Sequence, residues 1–185
     1  RYLSPHSDIV ALMVMEHQSQ MHNALTAANF ETRRAIFQSK EMNVLLERPA
    51  DYLSESATRR INSAAENVVQ HLLFCDEFPL SAPITGTSDF VADFEQTAKR
   101  DSQNRSLRDF NLKTRMFEYP CSYLIYSDAF DALPDEVRSR VIEKLVDVLE
   151  GHDDNEDYAH LSDSTRKEIL EILTETKPEI RKARS

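Results

Sequence analysis

Glycine is nearly missing. The 185-residue chain has two, Gly86 and Gly151, where average usage would give roughly 13. A dinucleotide-binding fingerprint or a P-loop needs several glycines in one short loop, so that backbone can approach phosphate. A nucleophile elbow needs two. Hairpin-rich β folds need positive φ at several turns. All of these are excluded.

Long apolar runs are also lacking. The longest is Ile9 to Met15, far short of the roughly 20 residues a membrane span requires, so no span is expected. Cysteine is limited to Cys75 and Cys121. Two cysteines cannot build a zinc cluster, and they do not form C-x-x-C. They read either as two free thiols or as one disulfide. A disulfide would add roughly 4 kcal/mol and would place the domain outside the cytoplasm.

What is present is ordinary globular composition, 41% hydrophobic and 29% charged, with a net charge of −10. That field repels phosphate backbones, so no nucleic-acid partner is expected, whereas cations and basic protein surfaces are compatible with it. Residue 1 is Arg, and the chain reads as a processed or excised piece of a longer protein.

Punctuation along the chain predicts an all-α fold: a single irregular domain over 1–185, with five to six helices around a long buried N-terminal helix. Ser4 and Pro5 suit a helix start, and Pro49 ends the first helix near Glu47. Its apolar residues Ile9, Val10, Leu12, Met13, Val14 and Met15 cover most of the circumference, which predicts a central position. Beyond Phe30 it turns polar and is expected to emerge to solvent.

Ser54 caps a second helix over 55–75. Thr87 or Ser88 opens a short one to about Lys99. Residues 100–118 read as irregular. The run Cys121–Tyr126 is read as helix. Pro134 starts a helix with Val137, Val141, Leu145 and Leu149 on one line and Gly151 at C′. Ser162 caps the last helix, Pro178 stops it, and the basic tail is expected to fray.

Candidate chemistry centres on Glu16, His17 and His22 of the first helix. Imidazole is the commonest metal ligand, and buried polar groups need partners. His17 and His22 point about 140° apart, so a metal or haem iron would need further ligands, for example Glu66 or His71. The alternative is a hydrogen-bonded core network. Met13, Met15 and Met21 read as core filling before axial haem ligands. Asp153, Asn155 and Asp157 match positions 1, 3 and 5 of a calcium loop. Tyr158 and Ser164 stand where its Gly and Glu belong, so an EF-hand is excluded.

The stretches Tyr2–Gln18, Tyr119–Asp131 and Leu170–Pro178 together resemble the C-terminal region of a group of uncharacterised exported bacterial proteins. The resemblance implies an extracytoplasmic location, periplasmic or secreted, and carries no activity or site residue. The leading expectation is a non-catalytic helical domain that serves assembly or binds a protein partner. The rival is a redox module that holds a metal or haem through Glu16, His17 and His22.

Overall fold

The computed structural model describes residues 7–153 and 155–184. Among these it contains seven α-helices and no strand: α1 Ile9–Leu45, α2 Glu55–Leu72, α3 Phe90–Gln96, α4 Asp128–Asp131, α5 Asp135–Leu149, α6 Asp163–Thr176 and α7 Pro178–Ala183. Ser4 and Pro5 lie outside the described residues. The start of α1 is instead set by Asp8, whose carboxylate accepts the N–H groups of Val10 and Ala11.

That carboxylate also takes the N–H groups of Thr87 and Ser88 and the Ser88 hydroxyl. The Ser88 bond leads in holding the Asp8 carboxyl below its ordinary range. A Cβ on Gly86 would stand 2.9 Å from an Asp8 oxygen, so this glycine is required by a close approach.

The expectation of a buried central first helix is corrected. One line of α1 is buried along its whole length: Val10, Val14, His17, Met21, Leu25, Ala28, Thr32, Ala35, Ser39 and Asn43. Ile9, Leu12 and Met15 lie off that line and remain exposed. The middle position belongs to α2, which packs against α1 on one side and α5 on the other. Ser54 caps α2 through the Ala57 N–H, and Ile61, Ala65, Val68, Val69 and Leu72 carry its burial.

Glycine scarcity has a visible cost at helix ends. At the close of α1, the Arg48 N–H returns to the Asn43 carbonyl and Glu47 sits at φ 50°. At the close of α2, the Cys75 N–H returns to the Gln70 carbonyl and Phe74 sits at φ 56°. Both are Schellman endings with a side chain where glycine is usual, a strain of order 1 kcal/mol. Gly151, at φ 76°, fills the same place after α5 as expected.

The predicted α5 line of Val137, Val141, Leu145 and Leu149 is buried. Residues 97–122 are irregular but well tied: the buried Asp101 accepts the Gln103 and Arg105 N–H groups, and Arg105 reaches Glu171 on α6. Phe110 and Phe117 form an isolated bridge. The run read as helix before Ser127 is a 3-10 turn, Tyr123–Tyr126. Pro178 follows the end of α6 as expected, but α6 is not the last helix: Pro178 opens α7, whose Ile180 is fully buried, while residues 181–184 of the basic tail beyond it are helical or turn and exposed.

Candidate functional site

The three expected ligands on α1 do not gather. His17 is buried, at 8% exposure, while Glu16 and His22 stand in solvent. The cause is helical geometry: only His17 lies on the buried line. Among the described residues, no group of three His, Cys, Asp or Glu side chains is placed to hold a metal ion. Of the suggested completing ligands, Glu66 is engaged by the Tyr158 hydroxyl and Lys144. Asp153 of the acidic loop also meets Lys144. Cys75 and Cys121 are free thiols, which replaces the disulfide reading. Burial pushes both up to about 12, Cys121 within the apolar core.

His17 instead belongs to a polar and aromatic node. Its Nε2 lies 2.7 Å from the Ser122 hydroxyl. Ser122 also accepts the Leu124 N–H. Phe74 lies flat against the imidazole, with centroids 4.4 Å apart. Phe117 and Tyr123 surround the pair. Burial, then the nearby His71, lowers His17 from 6.5 to about 4, so the ring is neutral at pH 7. The same Phe74 is the residue at φ 56° that closes α2. Sequence reasoning missed Ser122 and Phe74, because neither a lone serine nor a lone phenylalanine carries a signal.

Beside this node is a pocket of about 370 Å³. One wall comes from α1, through Met13, Glu16, His17 and Gln20. The facing wall comes from the end of α2 and the segment after it, where Asp76, Glu77 and Phe78 stand. The Glu77 carboxylate accepts the Met116 N–H at 2.8 Å, and burial raises its pKa.

A second feature lies on the far half of α1. Phe30, Phe37, Val44 and Leu45 are exposed, Phe30 by 71% and Val44 by 81%. Phe30, Phe37 and Val44 recur every seven residues, so they form one row about 21 Å long. The row points about 180° away from the buried Thr32, Ala35 and Ser39. Arg33, Arg34, Lys40 and Glu41 flank it, all exposed. Polarity is thus inverted here, with small or polar side chains inside and large apolar ones outside. Thr32 Oγ1 is even buried without a hydrogen-bond partner.

No protein-family model matches the chain, and no curated protein or solved structure is similar to it. The fold and the two surface features therefore carry the argument for a binding or assembly role. No helix of the described residues is long and apolar enough to cross a membrane.

Proposed function

We propose that the chain is a non-catalytic helical assembly domain of an exported bacterial protein, and that it self-associates through the outer face of α1. The carrying observation is the inverted half-helix. A row of Phe30, Phe37 and Val44 exposes apolar area that a monomer leaves in water, at about 25 cal/mol per Å². The heptad spacing is that of a helix paired with another helix.

A second copy is the occupant that the row itself favours, because its heptad spacing makes it complementary to its own reversed copy. In an antiparallel pair with its two-fold axis at Phe37, Phe30 faces Val44 of the second copy and Phe37 faces its own equivalent. Arg34 then meets Glu41 of the second copy on one flank and Arg33 meets Lys40 on the other, each twice by symmetry, so the flanking charges balance. Export is supported by the resemblance of the three sequence stretches.

Sedimentation velocity tests this reading. At roughly 100 µM the wild-type chain is expected to sediment as a dimer. Phe37→Glu is expected to sediment as a monomer with an unchanged melting temperature. A monomeric wild type at that concentration contradicts the proposal, as does a dimer that Phe37→Glu leaves intact. Binding of monomers to anionic lipid vesicles would replace it with a membrane-surface reading.

A further inference from the structure

We propose that the pocket beside His17 binds a small organic ammonium ion with an apolar body. The charges of its wall make the first argument. Glu16, Asp76 and Glu77 line the pocket, and neither Lys nor Arg does. His17 is neutral at pH 7, and Arg115 and His160, which act on Glu77 from outside the lining, are outnumbered by the three carboxylates.

The second argument is the apolar surface among these carboxylates. Phe74, Met13 and Met116 line the pocket, and Phe78 stands beside it at 90% exposure, the most uncovered of the large apolar side chains described. An aromatic face next to carboxylates attracts a cation through its quadrupole while it covers the apolar body. A purely inorganic cation would leave that surface wet.

The third argument is unused hydrogen-bonding capacity. His17 is more than nine-tenths buried and borders the pocket. Its Nε2 is taken by Ser122, and Nδ1 has no hydrogen bond among the described residues. One Glu77 oxygen takes the Met116 N–H. The other is left for an ammonium group. The burial that raises the Glu77 pKa is relieved when a cation sits beside it. The volume falls at the lower end of the range for small-molecule sites.

Three probes of matched shape test the assignment on the full chain by amide chemical shifts: benzylamine, benzyl alcohol and benzoate. Benzylamine is expected to shift residues 13–20 and 70–78 and to bind about five- to tenfold more tightly than benzyl alcohol, with benzoate weaker still. Glu77→Gln keeps an acceptor for the Met116 N–H and is expected to remove most of that preference. Asp76→Asn, on an exposed side chain, is expected to reduce it with the melting temperature unchanged. Equal binding of amine and alcohol overturns the proposal. So does benzylamine binding that neither variant weakens, or no saturable shift up to about 10 mM. None of these results depends on the oligomeric state.

Discussion

In the first half of α1 the large apolar side chains Val14, Met21 and Leu25 are buried. In the second half Phe30, Phe37, Val44 and Leu45 stand in solvent, while Ala28, Thr32, Ala35, Ser39 and Asn43 are packed. The backbone is one continuous helix, so the difference comes from what lies opposite. The first half meets α2, the irregular segment and the aromatic node around His17. The second half meets α2 through small side chains, and Arg60 of α2 holds Glu31 and Gln38 across the seam. Burial is therefore set by the position of a residue around the helix and not by its hydrophobicity. The half that departs from the usual pattern is the half with a surface to offer.

The sharpest break of this comparison is a pair of truncations. Met21→Ala, in a fully buried site, is expected to destabilise the chain by about 2–5 kcal/mol. Phe37→Ala removes a larger side chain, yet it is expected to change monomer stability by only about 0.5 kcal/mol. Urea unfolding at low protein concentration checks both. A large loss from Phe37→Ala would mean that the outer row is packed within the monomer.

The next effect belongs to the first half alone. His17 titrates at about 4 in the folded chain, against 6.5 as its ordinary value. As pH falls below 6.5 the unfolded chain takes up this proton first, so stability is lost down to about pH 4 and the loss levels off below. That difference corresponds to about 3 kcal/mol. His17→Gln is expected to flatten the pH dependence of stability between 6.5 and 4. An unchanged slope would place the ring in contact with water.

A smaller effect tests the inner face of the second half. Thr32 Oγ1 is buried without a partner, so Thr32→Val replaces an unsatisfied hydroxyl with a methyl group of similar size. It is expected to raise stability by about 1 kcal/mol in thermal melts. Destabilisation would reveal a hydrogen bond to that hydroxyl.

Helix starts and stops were legible in the residues themselves. Ser54 and Ser162 cap α2 and α6, and Gly151 ends α5. These signals are local, so a sequence carries them in full. The Cys121–Tyr126 run was readable as helical but not as a 3-10 turn. The position of α1 was misjudged because apolar residues around the whole helix were counted together, where only one line of them meets α2 and the core. Pro178 was ambiguous, since proline both ends one helix and opens the next.

The candidate site was less legible. His17 was found through its burial in an apolar helix, but its partner Ser122 is 105 positions away. Only the tertiary fold brings them together. Glu16 and His22 were grouped with His17 by proximity in sequence, and helical geometry separates them. The outer row of Phe30, Phe37 and Val44 was present as a heptad spacing. It became meaningful only when the opposite face proved to be small, polar and already packed.

The central claim, that the outer face of α1 pairs with a second copy in antiparallel register, is tested most directly by a charge-swap cycle at Arg34 and Glu41. Dimer dissociation constants are measured by sedimentation equilibrium for the wild type, Arg34→Glu, Glu41→Lys and the double variant. Each single substitution places like charges opposite each other and is expected to weaken the dimer about fivefold. The double variant restores both pairs and is expected to return to within about twofold of wild type. If the two losses simply add in the double variant, Arg34 does not meet Glu41, and the proposed register is wrong.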